Sequence, residues 1–347
     1  MQPPAVVDLE LKTISPNPPE TPAGFFFPTG ATALHNDMSS ASNDTATPLR
    51  TVTRGAEIFH FGSVYLIWGS TYLAIRVAVE TMPPFLMAGT RFLFAGICLF
   101  LWLKLRGAAW PKAVHWRSSA IIGTLLLLGG NGMVCWAEQT VPSGIAALMV
   151  ATQPIWFMLF DAMRPGGARP TLLGIIGLLV GFSGVVILAT GRSMGGAELP
   201  LAGILGLLVG CLCWSGGSVF GKQLERPPSP LMGSALQMVC GGAALTLVAV
   251  LRGEPASVRW DSVSNQSLMA LAYLVVFGSW IAFGSYVWLL EHVAAAKVAT
   301  YAYVNPAIAV LLGWLFVGEP FTLRTLIAMA VILGGVLIVQ WPRAKKG

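Results

Sequence analysis

Phe85–Leu103 reads FLMAGTRFLFAGICLFLWL, a stretch in which Arg91 is the single charge. A helix rises about 1.5 Å per residue, so about twenty apolar residues cross the ~30 Å hydrocarbon core of a bilayer. This stretch has that length and lacks the polar face that a water-bathed helix needs. Similar runs recur, giving expected spans at 58–77, 85–103, 118–138, 143–163, 170–190, 200–220, 231–251, 268–290, 297–317 and 322–341. Open strands are excluded, because each unpaired backbone group in lipid costs several kcal/mol. The expected fold is an all-α polytopic membrane bundle of ten transmembrane helices.

Composition supports that reading. The 347 residues are 55% hydrophobic and 10% charged, whereas soluble domains carry roughly 25% charged residues to solvate their surface. Disorder of the whole chain is excluded too, since it needs low hydrophobicity and high charge. The net charge of +6 comes from basic residues lying between the apolar runs rather than in one patch. The partner implied is therefore a lipid bilayer and not nucleic acid. With the N-terminus in the cytoplasm, fourteen Lys and Arg fall on the inner side and five on the outer, which orients both termini inward. The five cysteines all lie in apolar runs without a CxxC pair, so they read as packing residues, and neither a metal nor a cofactor is expected.

Residues 1–57 are a different material, rich in Pro, Thr, Ser, Asn and Ala. Such a segment buries too little apolar area to offset its ordering entropy. It is expected to be a disordered cytoplasmic tail, with no cleaved signal.

The remainder matches itself. Trp68 and Trp214 are 146 apart, as are Pro84 and Pro230; Trp136 and Trp288, Val141 and Val293, and Pro154 and Pro306 are 152 apart. Gly184 pairs with Gly335 at 151. Helices 1–5 (58–190) thus repeat as helices 6–10 (200–341). Five is odd, so the second copy starts from the opposite side of the membrane. Inverted repeats of this kind let a central site open alternately to either face.

The same residues resemble a known family. Trp68-Gly69-Ser70-Thr71-Tyr72, Pro83-Pro84, Arg91-Phe92, Gly130-Asn131-Gly132, Val141-Pro142-Ser143-Gly144, Tyr303-Val304-Asn305-Pro306 and Gly318-Glu319 are similar to motifs of the EamA family in the drug/metabolite transporter superfamily. The resemblance covers residues 58–341. It implies two EamA repeats, a bacterial inner membrane location, and a secondary transporter that exports small metabolites, such as amino acids, or amphiphilic drugs.

A substrate pathway through hydrocarbon should be lined by the few polar and aromatic side chains sharing a helical face. On helix 1, Tyr65, Trp68, Tyr72 and Arg76 follow i, i+3, i+7, i+11 and form one stripe. This suits an aromatic or zwitterionic ligand; the alternative is an interfacial belt with Arg76 reaching headgroups. Arg91 lies two turns into helix 2, where a cation is costly and faces a partner or water. Asn131, Cys135 and Glu138 share a face of helix 3, so Arg91 and Glu138 are expected to form an outer ion pair or a carboxylate-binding group, functional or structural. Gln153-Pro154 and Asn305-Pro306 are equivalent in the repeat. Each proline frees a carbonyl and makes a hinge beside an amide. Tyr301 precedes Asn305 on one face, and Trp214 on helix 6 mirrors Trp68. Gly177-xxx-Gly181 and Gly206-xxx-Gly210 permit close approach, within the bundle or in a homodimer.

Two other function classes stand against transport. Gly181-Phe182-Ser183-Gly184 has the GxSG pattern of intramembrane serine hydrolases. A serine nucleophile needs a base within reach, and the histidines lie in the tail or at helix ends, so no enzyme is expected. A passive channel would need a ring of charges or carbonyls, which the sequence lacks.

Overall fold

A computed structural model of the chain describes residues 53–165, 170–189, 200–293, 298, 300–319 and 321–340. Among these residues the regular elements are all helices. In chain order they are α1 Arg54–Ala78, α2 Pro84–Leu105, α3 Ala113–Ala137, α4 Ser143–Met163, α5 Leu172–Ala189, α6 Leu201–Gln223, α7 Pro230–Leu251, α8 Asn265–Leu289, α9 Tyr301–Val317 and α10 Leu323–Gln340. A one-turn helix, Glu254–Ser257, joins α7 to α8. Seven of the expected spans, α1–α4 and α6–α8, are long and apolar enough to cross a membrane; α5, α9 and α10 are shorter apolar helices. The segment read as a tail lies outside the described residues up to residue 52, and α1 begins at Arg54, capped by the Thr53 hydroxyl.

The repeat governs how the helices begin and pack. Pro84 and Pro230 each open their helix, α2 and α7, where a proline lacks only an N–H that would be unbonded anyway. α2 packs on α7 and α5 on α10; α1 packs on α8 and α9, as α6 does on α3 and α4. Exchanging each helix for its repeat mate leaves that pattern unchanged, so a two-fold axis runs between the α2/α7 and α5/α10 pairs.

Glycines at those two crossings show the direction of each helix. A Cβ on Gly96 would lie 2.8 Å from the Met238 Cβ and 2.8 Å from the Val239 nitrogen; one on Gly242 would lie 2.6 Å from the Leu93 nitrogen. Gly96 and Gly242 are 146 apart, as are Leu93 and Val239. At the other crossing, Gly184 meets Ile332 and Ala328, while Gly335 meets Gly181 and Gly177. In each pair one helix runs up while its mate runs down, so the two copies are inverted. The spacing Gly177-xxx-Gly181 is used here, inside the chain. Gly206 and Gly210 are likewise taken up, against Trp136 and the Gly130 carbonyl.

α4 is broken where its proline predicts: helix runs over Ser143–Val150, Ala151 and Thr152 turn, and Pro154 sits in the first turn of Gln153–Met163. Pro306 differs, lying inside an unbroken α9. The matched prolines therefore sit in unlike backbones.

Candidate functional site

The middle of the bundle holds a feature with no signature in the sequence. Thr124–Gly132 of α3 and Leu274–Ile281 of α8 are π-helical, bonded i→i+5. They begin 150 residues apart, so they are repeat mates. A π turn widens the helix, re-aims its side chains and is frequent at functional sites. Each one receives a tryptophan from the opposite repeat. Trp68 of α1 donates its Nε1–H to the Gly278 carbonyl at 3.3 Å, and Trp214 of α6 lies against Gly130, where a Cβ would be 2.9 Å from the indole ring. Glycine at 130 is what lets the Trp214 indole approach the backbone, whereas the space beside Gly278 is taken by Arg91 and Thr71. Trp68 and Trp214, matched in the sequence, thus each meet the π segment of the other repeat, one through a hydrogen bond and one through its ring face.

Around Trp68 the aromatic stripe of α1 faces inward. Trp68 packs on Tyr286 and Tyr301, with ring centres 5.0 and 5.4 Å away. Tyr65 shares a hydrogen bond with the Thr300 hydroxyl at the start of α9, and half-buried Tyr72 packs on the main core. Asn305 is buried; oriented to suit its neighbours, its amide donates to the Tyr301 carbonyl at 3.3 Å and the Tyr65 carbonyl at 3.2 Å. It ties α9 to α1. Gln153, its repeat mate, is only half-buried. Asn131 accepts from the Cys135 thiol at 3.6 Å, which places both on one face of α3.

The contacts that α1 and α9 make differ between the two ends of the bundle. At the near end, where α1 starts, His60 Nδ1 pairs with the Ser285 hydroxyl at 3.0 Å and its ring stacks on Trp288 at 4.0 Å. At the far end, where α1 finishes, the contacts are charged. Arg76 donates to the backbone carbonyls of Glu138 and Gln139. Glu319 follows Gly318, whose φ of +64° turns the chain at the end of α9. The Glu319 carboxylate accepts from Ser143 N–H at 2.6 Å and Gly144 N–H at 3.0 Å, capping α4 from the other repeat. An anion is favoured there by the unbonded N–H groups and the helix dipole.

The expected ion pair between Arg91 and Glu138 is not formed; their charged atoms do not come within 4.0 Å. Arg91 instead donates from Nε to the Ser279 hydroxyl at 3.1 Å, and that hydroxyl donates in turn to the Leu274 carbonyl in the π segment. Glu138 is fully buried, and among the described residues neither carboxyl oxygen has a hydrogen-bond partner. A polar cavity of about 500 Å³ opens at the far end, lined in part by Glu80, Gln139, Arg252, Glu254 and Arg259. Burial pushes the Glu254 carboxyl above its ordinary value, against the opposing pull of its bond from Leu86 N–H and of Arg252. Ser183 sits on the exposed face of α5 with its hydroxyl bonded to the Val180 carbonyl. The described histidines His60, His115 and His292 are engaged elsewhere, with Ser285, Glu225 and the Trp288 carbonyl.

Sequence reasoning quoted Gly130 and Glu319 only within family-like motifs and gave them no role, and it passed over Gly278 and Ser279, which carry no local cue.

Comparison with known proteins gives one consistent result. The model of the EamA-like transporter family matches twice, at residues 57–190 and 201–341. The chain is 40% identical over 278 residues to the uncharacterized inner membrane transporter YedA of Escherichia coli K12, covering 80% of this chain and 88% of the relative. It is 25% identical to the uncharacterized transporter YoaV of Bacillus subtilis, covering 80% and 94%, and 27% identical to protein PecM of Dickeya dadantii, covering 79% and 89%. A crystal structure at 21% identity superposes with a TM-score of 0.56, covering 82% of this chain and 96% of the other. That likeness concerns the fold.

Proposed function

Given that the chain belongs to the EamA-like transporter family, we propose that this membrane transporter carries a small organic molecule between its two repeats by alternating access. Residues 58–190 and 200–341 are the two halves that move, and export across the inner membrane is the net direction, the location being that of YedA. The observation that carries the reading is the matched pair of tryptophans, Trp68 on Gly278 and Trp214 on Gly130. A site related to itself by the two-fold axis presents the same surfaces whichever face is open. The near end, with both termini, faces the cytoplasm, as the distribution of Lys and Arg favours. Trp68, Tyr72, Arg76, Arg91, Asn131, Glu138, Gln153, Trp214, Tyr301 and Asn305 line the pathway, and Pro154 and Pro306 act as hinges. The break in α4 supports the first hinge.

The test is flux in proteoliposomes against amino acids and aromatic amphiphiles, with and without a pH gradient. A carrier gives saturable uptake and counterflow exchange. Flux that never saturates and shows no counterflow would be that of a channel and would sink the reading.

A further inference from the structure

Among the described residues Arg91 is a cation with no counter-charge. It is 5% exposed. Its Nε–H is held by Ser279 at 3.1 Å, its guanidinium lies 4.6 Å from the centre of the Phe92 ring, and Nη1 meets no acceptor. Among the described residues no carboxylate approaches within 4.0 Å of it. A guanidinium does not shed its proton to escape such a site. The ring face offsets only a small part of the missing hydration, and a stranded buried charge costs several kcal/mol.

The surroundings keep one side of the group free. With Nε bound to Ser279, the two Nη groups form the unclaimed end, the pair of donors that matches a carboxylate in parallel bonds. Gly278 leaves them room: a Cβ there would lie 3.0 Å from Nη2 and 3.2 Å from the Thr71 methyl. The same Gly278 carries the Trp68 bond, so the free guanidinium end and the indole meet at one residue of the π segment.

We propose that Arg91 is the seat of a carboxylate on the transported molecule, which makes the substrate a small organic acid or zwitterion and not a neutral or cationic amphiphile. Ser279 is the positioning residue: it fixes the Nε edge and so aims the Nη pair. The inference rests on the transporter reading for its meaning, and its test is binding rather than flux.

The test uses the purified full chain, with thermal unfolding followed by tryptophan fluorescence. The probes are benzoate against benzamide and alanine against alaninamide. Benzoate, alanine or both raise the unfolding temperature saturably, and the amides do not. Benzoate alone identifies a simple anion site; a preference for alanine identifies a zwitterion site. Arg91→Gln raises the half-saturating concentration by about tenfold or more, as loss of a charge-assisted pair requires. Ser279→Ala, which leaves the cation in place, weakens binding by a few-fold and covers the case in which Arg91→Gln fails to fold. Equal stabilisation by acid and amide, no stabilisation by either acid at tens of millimolar, or unchanged affinity in both variants would overturn the proposal. Flux of an amide or amine with neither acid bound keeps the transporter and removes the carboxylate seat. Carboxylate binding without any flux does the reverse.

Discussion

Glu319→Ala should unlatch the far end. The carboxylate holds two N–H groups of α4, at 2.6 and 3.0 Å, from a loop that belongs to the other repeat. Hydrogen bonds to a charged group contribute about 1.5–3 kcal/mol each. Water takes over part of that role once the seam opens, so the net loss is about 2–4 kcal/mol for the pair. At 1.4 kcal/mol per tenfold, the open-to-closed ratio at the far end rises by roughly 30- to 700-fold. Val310 reports on the seam, since it is buried and its Cα is 3.0 Å from where a Gly144 Cβ would be. A Val310→Cys reporter, in a chain whose own cysteines are replaced by alanine or serine, is labelled with a membrane-impermeant maleimide from the face opposite the N-terminus. Labelling accelerates in Glu319→Ala, and by less in Glu319→Gln, which keeps a neutral acceptor. A rate equal to the parent in both variants, with protein folded and inserted, would refute the latch.

Overpacking the crossings should be severe: Gly184→Val or Gly242→Val drives a side chain into atoms 2.6 Å away or closer than 3 Å, at about 1–3 kcal/mol or more, lowering the unfolding temperature. Gly284→Ala, with no atom within 4 Å of the new Cβ, leaves it unchanged. Trp68→Phe keeps a ring but loses the bond to Gly278, about 0.5–1.5 kcal/mol, so KM in proteoliposomes rises by up to about tenfold with expression intact. Glu254 gives a pH dependence: its folded carboxyl binds protons more tightly than the ordinary 4.5, so stability falls as pH rises from that value through the raised one and then levels off. Glu254→Gln flattens this slope in thermal unfolding scans run across pH.

The inverted repeat was legible because it needs only that apolar lengths, tryptophans and prolines recur in order. Trp68 and Trp214 could be paired from spacing alone. What they touch could not, because the π segments have no compositional mark: GGNG in α3 and FGSW in α8 suit an α-helix equally, and the extra residue per turn is held in place by neighbours in the other repeat. Arg91 was rightly singled out as a lone cation, but its partner was misjudged. A 3.6-residue period across helix 3 assigns Glu138 to its side, whereas the hydroxyl that meets Arg91 is Ser279, 188 positions away. Glu319 and the start of α4 are likewise separated by 176 residues. Contacts made between repeats by single side chains leave no local periodicity to read.

The α1–α8 contact at the near end and the α9–α4 contact at the far end are of different kinds, and this bears on the proposed transport cycle. At the far end Glu319 joins the end of α9 to the start of α4 by charged hydrogen bonds that demand distances near 2.6–3.0 Å and are lost together once α4 moves. At the near end α1 meets α8 through rings and a hydroxyl, His60 on Trp288 at 4.0 Å and His60 with Ser285, and deeper in the bundle Trp68 lies on Tyr286 and Tyr301. Ring contacts contribute about 0.5–1.5 kcal/mol each and tolerate sliding. An incoming ligand with a ring of its own can replace one such contact by another at little net cost, so the near end yields to substrate. The far end does not exchange its contacts in that way, because the carboxylate of the proposed substrate is engaged at Arg91 and leaves no acceptor for the α4 N–H groups. On the proposed cycle it opens when the repeats themselves shift. On the proposed orientation and cycle the yielding end faces the cytoplasm, so the proposed export would load the carrier from within, with the charged latch as the step that commits a load to the outside.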